Sequence, residues 1–283
     1  MRWQGERESS NVEDRRGGGL PGGRTGVGLG TIVIAFVAAW FFGVDPRMVL
    51  GLLDEGGPAP VQTQQGPAPA PTDEMGRFVS VVLASTEDTW QQVFTQAGRQ
   101  YRPPTLVLYS DRIGTACGLG AAAAGPFYCP GDQKLYIDLS FFELMRQRLG
   151  AGGDFAYAYV VAHEVGHHVQ NLLGTMRQVQ SARERAGERQ ANALSVRLEL
   201  QADCYAGVWA SRSQQARRWL EQGDIEEGIG AAAAVGDDRL QKQMQGVVVP
   251  ESFTHGSSAQ RVHWFRTGME SGQPASCDTF SAP

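Results

Sequence analysis

The pentapeptide His163-Glu164-Val165-Gly166-His167 decides how this chain of 283 residues folds and which chemistry it can perform. Two imidazoles at positions i and i+4 share one helix face, about 5 to 6 Å apart at Cβ, so both can bind one tetrahedral zinc ion. Glu164 lies beside that face, where it can reach a metal-bound water without binding the metal. The pentapeptide therefore predicts a zinc hydrolase, and a peptidase is the first expectation.

The flanking sequence predicts one helix over residues 155–173. Asp154 stands where a helix N-cap is favoured, and Gly174 stands where a left-handed C-cap is common. His168 is turned about 100° from His167, so we expect it to pack or to support the site rather than to bind metal. The competing interpretation is a pair of ordinary core histidines on an amphipathic helix.

A hydrolytic zinc site usually has three protein ligands and one open position, so a third ligand is needed. Glu199 and Asp203 are spaced i and i+4 on a second predicted helix and share one face. We assign Glu199 to the metal and Asp203 to the free N–H of a ligand histidine. The alternative is a solvated acidic face, which is disfavoured by the apolar neighbours Ala202, Tyr205, Ala206, Val208 and Trp209.

The spacing after the motif excludes the metzincin class of zinc peptidases. That class places a glycine three residues beyond the second histidine and a further histidine three residues later, whereas this chain has Gln170 and Leu173 there. One zinc ion per chain is expected. The same ligands would also accept cobalt or manganese in vitro.

Four blocks resemble the bacterial family of neutral zinc metallopeptidases, and the resemblance extends from about residue 106 to residue 280. It implies a zincin-like fold in which His163, His167 and Glu199 bind zinc. Glu164 would then be the catalytic base. The blocks are Gly125-Pro126-Phe127-Tyr128-Cys129-Pro130, Tyr136-Ile137-Asp138-Leu139, Ala162-His163-Glu164-Val165-Gly166-His167-His168-Val169-Gln170 and Glu199-Leu200-Gln201-Ala202-Asp203-Cys204.

A second resemblance concerns the segment Thr254-His255-Gly256-Ser257-Ser258-Ala259-Gln260-Arg261. It is similar to the Thr-His-Pro...Arg segment that follows the zinc helices in membrane-associated peptidases of the gluzincin type. That resemblance implies that His255 helps to stabilise the oxyanion during catalysis. Gly256 replaces the proline, and an ordinary loop histidine is the competing interpretation of His255.

The N-terminal region predicts an anchor ahead of one folded domain. Residues 1–26 are expected to form a disordered cytoplasmic tail, residues 27–44 a transmembrane signal anchor, residues 45–75 a flexible linker, and residues 76–283 the metallopeptidase domain. Arginines before the apolar stretch and acidic residues after it place the domain outside the cytoplasm, on the bacterial inner or plasma membrane. A cleaved signal peptide and a buried core helix are the alternatives for the apolar stretch.

The cysteines agree with export, because all four follow the apolar stretch and their number is even. Cys117 with Cys129 would close a short loop, and Cys204 with Cys277 would hold the C-terminal tail beside the Glu199 helix. Three pairings are compatible with the sequence, and free buried thiols are the alternative.

The catalytic domain is predicted to be α+β, mostly helical with a small sheet. We expect helices over residues 77–98, from Ser140 onward and over residues 177–190, with strands over residues 105–109 and 134–139. The strand at 134–139 is the expected edge that receives the backbone of a peptide substrate. A net charge of -5 without a basic patch interleaved with aromatic residues excludes a nucleic-acid surface.

Three function classes are compatible with these features. The first is a membrane-anchored zinc peptidase, which uses the complete set of base, ligands and supporting carboxylate. The second is a different zinc hydrolase, such as an amidase of cell-wall peptides; a deformylase is disfavoured because no Glu-Gly-Cys motif precedes the histidine helix. The third is a catalytically idle envelope protein in which zinc only holds two helices together.

Overall fold

Helices pack against a small mixed sheet in the computed structural model, which describes residues 1–16, 68–121 and 125–281. This is the α+β class that the sequence predicts. The strands are β1 (Val12–Asp14), β2 (Thr105–Leu108), β3 (Arg112–Thr115), β4 (Gly118–Ala121), β5 (Phe127–Cys129) and β6 (Lys134–Ile137). The helices are α1 (Glu74–Gln96), α2 (Ser140–Leu144, continued by a π-helical turn at Met145–Leu149), α3 (Asp154–Leu173), α4 (Thr175–Arg183), α5 (Glu188–Arg217), α6 (Asp224–Ala234), α7 (Asp237–Gln245) and α8 (Ser258–Ser271), with 3-10 turns at Pro250–Ser252 and Pro274–Ser276.

The four-stranded sheet has the order β1-β2-β6-β5, and β3 with β4 forms a separate hairpin. β1, β2 and β6 run parallel, and β5 is antiparallel to β6. The prediction that residues 134–139 form an edge strand is wrong, because β6 is hydrogen-bonded on both sides. β5 is the terminal strand at this end of the sheet, and it contacts α3.

The central helix α3 begins and ends close to the predicted residues. It ends at Gly174, which has a φ of 84° in the left-handed region and caps the helix as expected. Asp154 is not the N-cap, since it already belongs to the helix, where its carboxylate accepts a hydrogen bond from the Trp3 indole at 3.1 Å. The amide of Phe155 donates instead to the carboxylate of Glu227 on α6, at 3.1 Å. Residues that are distant in sequence therefore bind the polar groups in the first turn of α3.

Close helix crossings bring α3, α5 and α8 together. A Cβ at Gly166 would lie 2.9 Å from the carbonyl oxygen of Ala202 on α5. A Cβ at Gly268 on α8 would lie 1.9 Å from the carbonyl oxygen of Cys204. Only glycine permits backbones to approach this closely, which explains why Gly166 is tolerated inside a helix at a cost of about 1 kcal/mol relative to alanine.

Two disulfides are present, Cys117–Cys129 and Cys204–Cys277, which are the pairs that the sequence favours. The first joins the end of the β3–β4 turn region to β5. The second joins α5 to the C-terminal segment, and both of its cysteines are buried. The C-terminal segment is therefore held covalently against the helix that carries Glu199 and Asp203.

Residues 1–16 belong to the folded domain. Val12 lies in β1, and the Trp3 ring packs edge-on against Phe78 of α1 with centroids 5.4 Å apart. The prediction of a disordered tail is thus wrong for these residues. The segment is too short and too polar to show a periodic pattern, and it is ordered by pairing with β2 and by burying Trp3, which is 7% exposed.

The predicted membrane anchor, residues 27–44, and most of the predicted linker lie outside the residues that the structure describes. Among residues 1–16, 68–121 and 125–281, no helix combines the length and the apolar character that a bilayer crossing requires.

Replacing Trp3 by alanine should reduce the free energy of unfolding by about 3 to 5 kcal/mol, because a buried indole and its hydrogen bond to α3 are both lost. The adjacent Gln4 is exposed, so Gln4→Ala should change stability by less than about 0.5 kcal/mol. Urea unfolding of the full-length variants measures both values. Equal midpoints for the two variants would contradict the packing of residues 1–16 on the domain.

Candidate metal centre

Helices α3 and α5 bring three metal-ligand side chains to one point. The Nε2 atom of His163 lies 3.2 Å from Oε2 of Glu199, and Nε2 of His167 lies 3.4 Å from Oε1 of the same carboxylate. One ligand atom from each residue lies within 4.8 Å of the other two. Both histidines are buried, so the three side chains are directed toward a common interior position.

The other ring nitrogen of each histidine is bound to an oxygen acceptor. Nδ1 of His163 lies 2.9 Å from Oδ1 of Asp203, and Nδ1 of His167 lies 2.9 Å from Oε1 of Gln170. A hydrogen on each Nδ1 satisfies these oxygens and leaves the Nε2 lone pairs for a metal. Two imidazole nitrogens and one carboxylate oxygen form a donor set that suits zinc with one open coordination position.

A buried network surrounds Asp203. Arg261 of α8 donates to both of its carboxylate oxygens, from Nε at 2.8 Å and from Nη2 at 2.9 Å. The Tyr159 hydroxyl donates to Oδ1 at 2.5 Å. Burial opposes ionisation of Asp203, but the Arg261 charge and the neighbouring His163 outweigh it and lower the pKa of this carboxyl. Asp203 therefore remains a carboxylate that can hold His163.

The roles of Arg261 and Tyr159 were not predicted from the sequence. Tyr159 lies one helical turn before His163, at a spacing that a search of the helix face could have found. Arg261 is 58 residues from Asp203 and reaches it only because α8 crosses α5, so local spacing contains no signal for the pair.

Gln170 connects His167 to the C-terminal segment. Its side-chain amide donates to the carbonyl of Leu198 at 2.7 Å and to Oε1 of Gln201 at 3.1 Å. Gln201 in turn donates to the carbonyl of Cys277 at 3.0 Å. The Gln170 NH2 group donates to these two acceptors. The amide oxygen is therefore the atom that faces His167. His167 and Gln170 are spaced i, i+3, and this spacing was the signal in the sequence that could have indicated their contact.

Glu164 lies between the two histidines in sequence and is 7% exposed. Burial raises the pKa of its carboxyl, and the positive charges of His167 and His163 partly oppose that effect. A carboxylate with a raised pKa beside a metal site is a suitable proton acceptor.

His168 has a structural role in α3, the helix that carries His163 and His167. It is fully buried, and its Nε2 donates to the carbonyl of Arg102 at 2.7 Å. Nδ1 then accepts from the Tyr128 hydroxyl at 3.0 Å. Burial lowers the pKa of His168 to about 4, so the ring is neutral near pH 7. His168 packs α3 against the segment before β2 and against β5.

His255 lies on the loop before α8 and interacts electrostatically with Glu199. Burial opposes ionisation of Glu199, but the charge of His167, the hydrogen bonds from His163 and His167 and the charge of His255 lower the pKa of this carboxyl well below its usual range. Asp237, which is buried, holds the loop: Oδ2 accepts from the amides of residues 254, 255 and 256 at 2.8, 2.7 and 3.0 Å. Its Oδ1 lies 3.2 Å from Nδ1 of His255.

Comparison with known proteins identifies the family. The family described as "Putative neutral zinc metallopeptidase" matches residues 1–280. The "Uncharacterized protein YpfJ" of Escherichia coli (strain K12) is 52% identical over 288 residues, which cover 99% of each chain. The "Uncharacterized protein Rv2575" of Mycobacterium tuberculosis (strain H37Rv) is 41% identical over 261 residues, which cover 86% of this chain and 85% of that protein. No solved structure matches the chain. The chain therefore belongs to the neutral zinc metallopeptidase family.

Proposed function

We propose that this protein is a zinc-dependent peptidase in which His163, His167 and Glu199 hold the metal. The observation that carries the proposal is the convergence of these three side chains, with both imidazole Nδ1 atoms engaged by oxygen acceptors. When bound, zinc supplies Lewis-acid chemistry, since it polarises a carbonyl group and lowers the pKa of water. The ligand set reserves one coordination position for that chemistry.

Glu164 is the general base of the proposed reaction. Its carboxylate accepts the proton of the attacking water and later delivers it to the leaving amine. Burial beside the two histidines supports this role, because it raises the pKa of the carboxyl above its usual value. Proton transfer of this kind contributes about 10² to 10⁴ in rate.

His255 is the proposed donor to the oxyanion that forms on the substrate carbonyl. Its influence on the pKa of Glu199 supports a position beside the centre. Asp237 orients the imidazole from the Nδ1 side and holds the loop backbone on both sides of it. This arrangement would present an imidazole N–H to the developing negative charge without a rearrangement of the loop.

β5 is the proposed docking strand for a peptide substrate. It is terminal in the sheet and contacts the zinc helix, whereas β6 is covered on both sides. An extended substrate could add to β5 by main-chain hydrogen bonds and so approach the centre. The substrate class that follows is an extended peptide segment rather than a folded surface.

We further propose that the domain works outside the cytoplasm. The two disulfides support an oxidising compartment. Residues 27–44 are the proposed attachment to the membrane.

Glu164→Gln should retain about one zinc per chain and lose about 10² to 10⁴ in kcat/KM on peptide substrates, because only the proton acceptor is removed. His163→Ala should lose the metal. Metal analysis and a fluorogenic peptide assay of the full-length protein measure these outcomes, with the exposed substitution Glu270→Gln as the control. Activity that survives in zinc-loaded Glu164→Gln contradicts the assignment. Zinc without turnover of peptides or peptidoglycan fragments in the unaltered protein would instead favour a structural metal.

His255→Phe should lower kcat by about 10² to 10³ while zinc content stays unchanged, because a donor to the transition state is lost. His263→Phe is the matched control, since His263 is exposed on α8. Steady-state kinetics beside metal analysis separate the two effects. If both variants turn over substrate at the same rate, His255 has no part in the reaction.

Arg261→Met should weaken zinc binding about 10- to 100-fold, because Asp203 loses the partner that orients it toward His163. It should also destabilise the fold by about 3 to 5 kcal/mol, since a buried carboxylate is left without its cation. Arg266→Met, at an exposed position of the same helix, should do neither. Zinc competition with a chelating dye and urea unfolding test the pair of variants, and equal zinc affinities would refute the positioning role.

A further inference from the structure

The two chain segments that flank residues 17–67 meet at one place on the domain. The amide of Asp14, at the end of β1, donates to the carbonyl of Pro69 at 3.0 Å. The guanidinium of Arg16 binds the carboxylates of Asp14 and Asp73. The two ends of the intervening stretch therefore lie side by side at the edge of the four-stranded sheet.

The N-terminal segment is part of the sheet through main-chain bonds. Val12 is in register with Leu106 in a parallel pair. The amide of Leu106 donates to the carbonyl of Asn11 at 2.8 Å, and the amide of Arg15 donates to the carbonyl of Leu108 at 2.8 Å. Hydrogen bonds to β2 at both ends of β1 thus fix the segment in one register with β2.

A buried carboxylate of α1 depends on the same segment. Within the described part of the chain, Glu87 accepts hydrogen bonds from Arg7 at 3.1 Å, from the Ser9 hydroxyl at 2.6 Å and from the Asn11 side chain at 2.7 Å. Glu87 is 8% exposed. Replacement of these three donors by apolar side chains would leave this carboxylate buried without its partners, which is strongly unfavourable. The segment is therefore required by the interior of the domain.

We infer that residues 1–16 lie in the same compartment as the catalytic domain, so that residues 17–67 make no net crossing of the membrane. A single crossing would separate residues 16 and 68 by a hydrocarbon core of about 30 Å. The structure instead joins the two flanks by a hydrogen bond and an ion pair. The single-pass topology expected from the sequence is incompatible with these contacts.

The charge bias that suggested a cytoplasmic N-terminus has a different explanation in the fold. Arg15 pairs with Glu13 at 2.8 Å, and Arg16 pairs with Asp14 at 2.5 Å. Two of the arginines that precede the apolar stretch are thus balanced by carboxylates on the surface of the domain. Arg16 also binds Asp73 and so helps to attach residues 1–16, and neither arginine is evidence for an unfolded basic tail.

Thiol accessibility in bacterial spheroplasts tests this inference with the full-length chain. Ser10→Cys reports the N-terminal segment and Glu270→Cys reports the catalytic domain; both positions are exposed, and the native cysteines of the domain are held in disulfides. A membrane-impermeant maleimide should label both sites, or neither site until detergent is added. Labelling of Glu270→Cys with protection of Ser10→Cys would overturn the inference.

Gln4→Cys gives a second exposed position in the same segment. It shows whether protection of residue 10 arises from its local surroundings or from the membrane. The labelling of each thiol in spheroplasts is divided by its labelling after detergent treatment, which corrects for differences in intrinsic reactivity. The assay has no activity readout, so its result does not depend on the proposed peptidase function. Agreement of both N-terminal sites with the domain site supports one compartment, and disagreement of both with the domain site contradicts it.

Discussion

The contact between Gly166 and the backbone of Ala202 is the constraint on which the metal centre depends. Gly166 lies between the two histidines of α3, and Ala202 lies between Glu199 and Asp203 on α5. Because the helices touch at the middle of both motifs, each motif faces the other at short range. A larger residue at Gly166 would push α5 away, and the 3.2 Å separation of His163 and Glu199 would increase. The glycine thus sets the size of the centre.

The orientation of the ligands depends on groups from distant parts of the chain. Asp203 holds His163 and is itself held by Arg261 from α8. His167 is held by Gln170, which leads through Gln201 to the segment fixed by the Cys204–Cys277 disulfide. His163 is therefore supported from α5, and His167 is supported from its own helix α3. Such supports restrict the ring orientation of both imidazoles.

Local spacing was sufficient to predict which α3 and α5 side chains meet, because His163, His167, Glu199 and Asp203 all follow the i, i+4 rule. It was not sufficient for Arg261, whose approach depends on how α8 crosses α5. The edge strand was assigned wrongly because β1 and β5 are three residues each and show no period that marks them as neighbours of β2 and β6. The same lack of a periodic pattern explains why the folded state of residues 1–16 was not predicted. Tertiary contacts alone order this segment.

Charge balance explains why a buried arginine belongs in a metal centre. Glu164 and Asp203 are buried carboxylates and Glu199 is partly buried, and a divalent ion would neutralise only two of the three. Arg261 compensates the third, Asp203, through a bidentate pair that a lysine could not form. If Glu199 and Glu164 balance a divalent ion, that ion and Arg261 together neutralise all three carboxylates of the proposed centre.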